Sequence, residues 1–391
     1  MKRKHNQLPA KNILIMANYP NSTGYAWKNI YRLFENIGDR IRNQGSGKVF
    51  ISFPAIDKNS NYISLDKFDG VCKLKACHLS IISIVRLVRY IVRNKIRYIY
   101  LTDQHSTHLI YGIMRFAGVY KIIVHSRVSV ASPLPAVEHR FWVLQIKRLL
   151  CRLPLLNVQR IYTVSDFVQN RLIFKAGVKK ETIITILNGI NINRFKKIPS
   201  NPYPLNDVNI KIFACGRATP EKGFQYLIKS IKLVNSDTKQ KSSLYIAGHG
   251  PYFKKLKELV LELGIEKDVH LLGEIVDVTA YQMLADINVV PSIWGDACPS
   301  SISESLCANR PLICTRAGGI QEMVKSNDGS DVAIIVPPSN AEALAHSIRQ
   351  IIASPGKYAQ LAQAGQQHAM KNLSEDAYYS RFFTCFLKDI E

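Results

Sequence analysis

The sequence predicts an α/β protein of two doubly wound domains, each built on a parallel sheet, and three observations support this. The chain has 391 residues, which is more than one ordinary hydrophobic core holds. Short apolar runs typical of strands alternate with longer segments of helical periodicity, the order that builds parallel sheets. A turn-rich segment at 197–208 with three prolines divides this alternation into two series, and we interpret it as the linker.

The first series predicts five strands with one helix between each consecutive pair. Because they are short and apolar, the runs expected to form strands are 13–17, 49–53, 98–101, 122–124 and 161–164. Apolar residues recur at helical spacing in 27–37, 79–94, 109–116 and 137–152. This series makes up a predicted first domain at 1–200.

The second series predicts six strands and five helices. The strands are expected at 210–214, 244–247, 269–272, 287–290, 312–314 and 333–336. The helices are expected at 223–235, 252–264, 278–285, 301–308 and 340–353. Together they define a predicted second domain at 205–373. The segment 374–391 is aromatic-rich and helical in pattern, and we expect it to pack back across the first domain.

Composition excludes several classes of protein. An apolar fraction of 47% with 21% charged residues is typical of a globular chain rather than a disordered one. Eight cysteines without a Cys-x-x-Cys pair predict neither a zinc site nor a disulfide framework, so we expect reduced thiols in a cytoplasmic protein. The first apolar run, Ile13–Ala17, is too short for a secretion signal, and no uncharged apolar run reaches the length of a membrane span.

The positive charge lies entirely in the first half of the chain. Residues 1–200 carry 33 Lys and Arg against 9 Asp and Glu, whereas residues 201–391 carry 19 against 20. Part of the excess lies on two amphipathic stretches, with Arg86, Arg89 and Arg93 in 79–94 and Arg140, Lys147, Arg148 and Arg152 in 137–152. Such asymmetry indicates an anionic partner, namely membrane lipid, a phosphate-bearing acceptor or nucleic acid. A merely solvated basic surface is the alternative.

A cationic loop follows the first strand of the second series. It runs from Gly216 to Gly223 and carries Arg217 and Lys222, five positions apart. Ligands of open α/β sheets bind at this end of the strands, and two cations beside glycines suit a diphosphate. The alternative is an exposed basic turn.

An acid pair follows strand 287–290, where Asp296 and Glu304 are separated by seven residues. The turn between them leads into helix 301–308, whose free N–H groups and dipole favour a phosphate. Carboxylates there can accept hydrogen bonds from ribose and sugar hydroxyls. Ser300 and Ser301 at the helix start are further candidates for binding the same ligand. A simple helix cap formed by Asp296 and Ser300 is the alternative.

Weaker candidates lie elsewhere. His125 and His105 follow strands of the first domain, where an imidazole can hold a hydroxyl or titrate near neutrality. Gly24 lies in the loop after the first strand, where backbone N–H groups could reach a phosphate. Gly318-Gly319-Ile320-Gln321-Glu322 follows strand 312–314 and opens another helix, but alone it is weak evidence for a site. No Asp-x-Asp occurs, so we predict no metal and no cofactor beyond the substrate.

Taken in order, these motifs resemble the retaining GT-B glycosyltransferases of the family-4 type, and the resemblance covers nearly the whole chain. After the opening strand and its glycine loop, the matching segments are Val164–Asp166, Leu187–Ile190, Gly216–Gly223, Ala247–Pro251, Leu271–Gly273, Pro291–Ser292 and Ala317–Glu322. The fold implied is GT-B, in which two Rossmann-like domains face each other across a cleft.

The resemblance also implies roles for individual residues. Asp296 would bind the donor sugar and Glu304 the ribose, while Arg217 and Lys222 would bind the diphosphate. His125 would lie near the reacting sugar, and the backbone around Gly273–Ile275 would border the base. Asp296 stands where glutamate is usual, which bears on the sugar more than on the reaction.

The implied activity is that of a retaining hexosyltransferase that uses a UDP- or GDP-sugar and a saccharide or lipid-linked acceptor in envelope polysaccharide or lipopolysaccharide synthesis. We expect it to be cytoplasmic and to bind the anionic inner face of the cytoplasmic membrane rather than nucleic acid. The alternatives are a sugar-nucleotide epimerase on the same architecture and a nucleic-acid-binding protein that uses the basic half. A nucleic-acid-binding protein would need neither the Arg217–Lys222 pair nor the acid pair.

Overall fold

The computed structural model describes residues 11–22, 28–57, 59–127, 153–197, 200–203, 208–237 and 240–391. Gly24 and the predicted helix at 137–152 lie outside the described residues. The described residues form two α/β units, each with one parallel sheet.

The N-terminal unit holds a seven-stranded sheet in the order β3-β2-β1-β4-β5-β6-β7. Its strands are β1 (Ile13–Met16), β2 (Val49–Phe53), β3 (Gly70–Lys73), β4 (Tyr98–Thr102), β5 (Lys121–Ser126), β6 (Arg160–Thr163) and β7 (Ile183–Thr185). Its described helices are α1 (Lys28–Asn43), α2 (Ile81–Arg93), α3 (Leu109–Phe116) and α4 (Asp166–Ala176).

The C-terminal unit holds a six-stranded sheet in the order β10-β9-β8-β11-β12-β13. Its strands are β8 (Ile210–Cys215), β9 (Ser242–Ala247), β10 (Val269–Gly273), β11 (Ile287–Val290), β12 (Leu312–Thr315) and β13 (Ile334–Val336). The helices that follow β7 are α5 (Phe224–Asp237), α6 (Phe253–Leu263), α7 (Thr279–Leu284), α8 (Ser300–Cys307), α9 (Ile320–Met323), α10 (Ala341–Ala353), α11 (Pro355–Asn372) and α12 (Glu375–Ile390). The predicted class, two doubly wound parallel sheets, is confirmed.

The elements that the sequence did not predict are β3, α4, β7 and α11. Both strands are short and lie at opposite edges of their sheet, where half-exposed side chains weaken the apolar signal. Helix α11 is rich in alanine and glutamine, so its buried face has few large apolar side chains to reveal its periodicity.

The N-terminal sheet separates two apolar layers because successive strand residues point to opposite faces. Leu14 and Met16 pack in the layer of α2 and α3, while Ile13 and Ile15 pack in the layer of α1 and α12. The aromatic rings of Phe382 and Phe386 on α12 are fully buried in that second layer.

Helix α12 is fastened to the N-terminal sheet by polar contacts as well. Asp389 accepts a hydrogen bond of 2.5 Å from the Tyr162 hydroxyl and forms ion pairs of 2.9 Å with Lys121 and Arg160. At the other end of the helix, Glu375 pairs with Arg32 at 2.8 Å. The last helix therefore belongs structurally with the first sheet. None of the described helices combines the length and apolar character that a membrane span requires.

Candidate active site

The loops after β8, β9, β10 and β11 meet at the carboxyl edge of the C-terminal sheet. The Gly216 N–H donates to the Ala247 carbonyl at 3.0 Å, and the Gly248 N–H donates to the Gly273 carbonyl at 2.6 Å. Gly223 has φ +72°, and a Cβ there would lie 1.9 Å from the Pro291 carbonyl oxygen. Only glycine permits this approach, so the cationic loop is held directly against the loop that bears the acid pair.

The structure brings together Lys222 and Asp296. The lysine Nζ lies 2.9 and 2.8 Å from the two carboxylate oxygens, and the Ser292 hydroxyl donates to the same carboxylate at 2.7 Å. Each charged side chain is about a quarter exposed. Arg217, on the same loop as Lys222, is exposed. A diphosphate bound here would compete with Asp296 for the lysine.

Glu304 lies in the second turn of α8 and pairs with Arg194, a residue that the sequence did not single out. The distance from Nη1 of Arg194 to the carboxylate is 3.1 Å, and Nη2 also reaches Asp277 at 2.7 Å. Burial raises the pKa of Glu304, and the neighbouring guanidinium offsets only part of that effect. Burial also raises the pKa of Asp277, but hydrogen bonds from Thr279 and Arg194 outweigh it and hold that pKa at about 2.

The start of α8 has free backbone donors. The preceding residue, Pro299, makes no side-chain capping bond, so Asp296 and Ser300 do not cap this helix in the described structure. Ser300 and Ser303 face a cavity between the two units. Unsatisfied N–H groups and the helix dipole therefore point toward a space where an anion would be favoured.

That cavity has a volume of about 310 Å³ and is lined from both units. Its polar and aromatic lining includes Asp103, Arg127, Asn188, Ser300, Ser303 and Tyr378. The first two follow β4 and β5, at the carboxyl edge of the N-terminal sheet. The two sheet edges thus contribute to one space.

Arg127 and Asp103 are N-terminal cavity residues that the sequence did not single out. The Arg127 N–H donates to the Asp103 carboxylate at 2.7 Å, and its guanidinium donates to the Tyr378 hydroxyl at 3.2 Å. Asp103 has φ +50°, a strained left-handed backbone for a residue with a side chain. The signal that could have found Arg127 is its place directly after β5.

His125 is placed in the aromatic core rather than on the cavity. Its side chain is fully buried, its Nδ1 lies 2.5 Å from the Tyr100 hydroxyl, and its ring stacks on Phe382. Burial, with a smaller effect from Arg127, lowers the pKa of His125 well below its usual value, so the imidazole is neutral. The structure does not bring His125 together with Lys222 and Asp296.

Two other predicted donor residues have less distinctive surroundings, and a third is not among the described residues. Ile275 follows β10 and packs half-buried among Tyr203, Tyr245 and their neighbours. Ser301 is half-buried in the first turn of α8. Gly24 is outside the described residues, so its predicted role stays a prediction.

The Gly-Gly motif ending in Glu322 joins the two units. The Glu322 carboxylate accepts from the Asp166 and Phe167 N–H groups at 2.6 and 2.8 Å, at the start of α4. The Phe167 ring packs so closely on Gly295 that a Cβ there would lie 2.4 Å from it. The motif thus connects the acid-pair loop to the N-terminal unit.

Comparisons with known proteins show that this chain is similar to glycosyltransferases. Residues 196–368, which include most of the C-terminal unit, match the family model described as Glycosyl transferases group 1. The chain is 27% identical over 217 residues to the uncharacterized glycosyltransferase MJ1178 of Methanocaldococcus jannaschii, covering 55% of this chain and 56% of that protein. It is 25% identical over 166 residues to the lipopolysaccharide core biosynthesis glycosyltransferase LpsE of Rhizobium meliloti, covering 42% and 46%. The chain spans about half the length of these curated relatives.

Two solved structures share the whole architecture of this chain. Anabaena Alr3699/HepE in complex with UDP superposes with a TM-score of 0.77 at 19% identity, covering 96% of this chain and 100% of that one. A glycosyltransferase from Rickettsia africae gives 0.74 at 17% identity, covering 98% and 100%. At such identities the likeness shows the fold alone, and the predicted GT-B fold is confirmed.

Proposed function

We propose that the protein is a GT-B glycosyltransferase that transfers a hexosyl group from a nucleotide sugar to an acceptor hydroxyl. The observation that carries this proposal is the convergence of Lys222, Asp296 and Glu304 around α8. Cations for a diphosphate, a carboxylate for the sugar and a carboxylate for the ribose lie at one sheet edge, within a domain that matches the group 1 glycosyl transferases.

The donor is a UDP- or GDP-sugar. Arg217 and Lys222 bind the diphosphate, assisted by the N–H groups of Ser300 and Ser301. Ile275 borders the base. The solved structures of HepE support a UDP-sugar as donor, because their ligands are UDP, UDP with glucose, and UDP-glucose.

The transfer retains configuration, as in glycosyltransferase family 4, without a metal. The bond between the anomeric carbon and the diphosphate breaks, the acceptor oxygen bonds to that carbon from the same face, and the acceptor proton leaves with the diphosphate. Fixed cations and the α8 dipole stabilise the departing charge without reorganisation. Lys222 is one of these cations, and it exchanges Asp296 for the diphosphate when the donor binds, before the bond breaks.

The acceptor binds in the cavity between the units. Asp103 and Arg127 both line this cavity, so the carboxylate can accept from an acceptor hydroxyl and the guanidinium adds a positive charge. We assign the acceptor to saccharides or lipid-linked saccharides of envelope polysaccharide or lipopolysaccharide synthesis. The relative LpsE, named for lipopolysaccharide core biosynthesis, supports this assignment. The basic N-terminal half supports work at the inner face of the cytoplasmic membrane.

A nucleotide screen tests the proposal. Thermal unfolding is followed with UDP, GDP, ADP, CMP and dTDP, because a ligand at about 100 times its dissociation constant stabilises the folded state by about 2.7 kcal/mol. We expect UDP or GDP to raise the melting temperature of the wild-type protein and to have much less effect on Glu304→Ala. If no nucleotide stabilises the wild-type protein, the proposed function is wrong.

A further inference from the structure

Helix α2 exposes a row of large apolar side chains that are not buried against the rest of the protein. Ile81 is 79% exposed, Ile82 66%, Val85 40% and Val92 59%, and Leu79 just before the helix is 50% exposed. The opposite side holds the helix in place, with Leu87 and Ile91 buried against the sheet. A solvated helix face is normally polar, so a contiguous apolar row indicates contact with another apolar phase.

A row of arginines runs beside the apolar row. Ile82, Arg86, Arg89 and Arg93 follow one another at helical spacing, and all are exposed. The surrounding sequence is cationic without compensation, since no acidic residue occurs between Asp69 and Asp103, while seven Lys and Arg do. We call the exposed apolar and arginine rows together the α2 surface. Its charge complements an anionic surface and its apolar row complements hydrocarbon.

The neighbouring helix extends the α2 surface. Helix α3 packs in the same layer of the N-terminal unit and exposes Leu109 at 60% and Phe116 at 83%. Helix α12 covers the opposite face of that sheet, so α2 and α3 are free of it. In a parallel α/β sheet the helices begin near the carboxyl ends of the strands. The start of α2, with Ile81 and Ile82 in its first turn and Leu79 just before it, is therefore at the sheet edge that also bears Asp103.

We propose that α2 lies in the plane of an anionic lipid bilayer, with its apolar row inserted among the acyl chains and its three arginines against the headgroups. Helices that lie in membrane interfaces combine these same two features, an apolar face and a basic flank. This inference rests on the proposed function for its purpose, because docking by α2 turns the cavity edge toward the membrane, where a lipid-linked acceptor would be presented.

Vesicle co-sedimentation of the full chain tests the inference. The probes are vesicles of phosphatidylglycerol and of phosphatidylcholine at low and high salt. Wild-type protein should bind the anionic vesicles and lose most of that binding in high salt. The triple variant R86Q/R89Q/R93Q should bind them about a hundredfold more weakly, since each arginine near an anionic leaflet contributes roughly a factor of five. The double variant I81Q/I82Q, which keeps every charge, should bind at least about tenfold more weakly.

Matched controls come from helix α6 of the C-terminal unit. Leu261 there is 62% exposed, and Lys254, Lys255 and Lys257 are exposed as well. Leu261→Gln and the triple variant K254Q/K255Q/K257Q remove the same kinds of group from the other unit, and both should bind vesicles like the wild type.

Three results would overturn the inference: wild-type protein that ignores phosphatidylglycerol vesicles at low salt, α2 variants that bind as well as wild type, or a loss confined to the arginine variant, which would mean adsorption without insertion. Nucleotide stabilisation is measured on the same samples without vesicles. Failure of the proposed function would appear there, whereas failure of the α2 surface appears only in the vesicle data.

Discussion

Neutralising Asp296 should separate recognition of the nucleotide from recognition of the sugar. The Asp296 carboxylate holds Lys222 through two contacts, of 2.9 and 2.8 Å. Asp296→Asn keeps the shape of the side chain but removes the charge that competes with a diphosphate for the lysine. Binding of the bare nucleotide should then be unchanged or tighter, while the sugar of the donor loses its carboxylate partner.

The size of the expected change in affinity follows from the exposure of the Lys222–Asp296 pair and from the strength of a hydrogen bond to a carboxylate. Both charged side chains are about a quarter exposed, so their pair is worth roughly 0.2–1 kcal/mol and its release tightens nucleotide binding by at most about fivefold. A hydrogen bond from a sugar hydroxyl to a carboxylate is worth about 1.5–3 kcal/mol. Because the freed lysine affects both ligands, the ratio of the dissociation constants of nucleotide sugar and nucleotide should rise by about 10- to 100-fold.

Isothermal titration calorimetry of the nucleotide and the nucleotide sugar that the screen selects measures this ratio. Glu304→Gln is the matched control, since a defect at the ribose should weaken both ligands and leave the ratio unchanged. If Asp296→Asn instead weakens the bare nucleotide as much as the nucleotide sugar, the division of roles between the two acids is refuted.

Four further outcomes are expected. Arg217→Ala should lower turnover by about 10²-fold or more with an unchanged circular dichroism spectrum, and wild-type turnover would remove it from the diphosphate site. Nucleotide affinity should fall as the pH drops toward the raised pKa of Glu304, because the ribose needs the ionised acid, and Glu304→Gln should abolish this trend in a titration series. Arg127→Ala should lower turnover yet keep nucleotide affinity; equal loss of both would place it on the donor. Asp389→Ala should destabilise the N-terminal unit by about 3 kcal/mol in urea unfolding, because it leaves two cations without their buried partner, and an unchanged midpoint would contradict this.

The fold could be predicted from sequence because its strands are buried on both faces and therefore appear as continuous apolar runs. Central strands such as β1 and β11 lie within a residue of their predicted limits. The edge strands β3 and β7 were missed because they are only four and three residues long and most of their side chains are partly exposed. Whether a strand lies at the edge of a sheet depends on its tertiary neighbours rather than on the local sequence pattern.

The cationic loop and the acid pair could be recognised by sequence reasoning because each motif is local, a strand followed at once by its loop. Arg194 was not, since its partner Glu304 is 110 positions away and only the fold brings them together. The same is true of Glu322, whose hydrogen-bond partners at the start of α4 belong to the other unit. Long-range pairs leave no trace in the spacing of a single sequence.

Strand β5 is two residues longer than predicted, and this difference puts Arg127 rather than His125 at the cavity and changes the chemical interpretation. A strand predicted to end at 124 makes His125 the first residue past the edge, but β5 continues to Ser126. Alternation along the strand then turns His125 to the same face as Ile123, against the rings of α12, and the first residue free to reach the cavity is Arg127. A guanidinium keeps its charge throughout the physiological pH range, whereas an imidazole changes it. The N-terminal side of the cavity therefore offers a permanent cation beside Asp103, which suits binding and orientation of an acceptor rather than transfer of its proton.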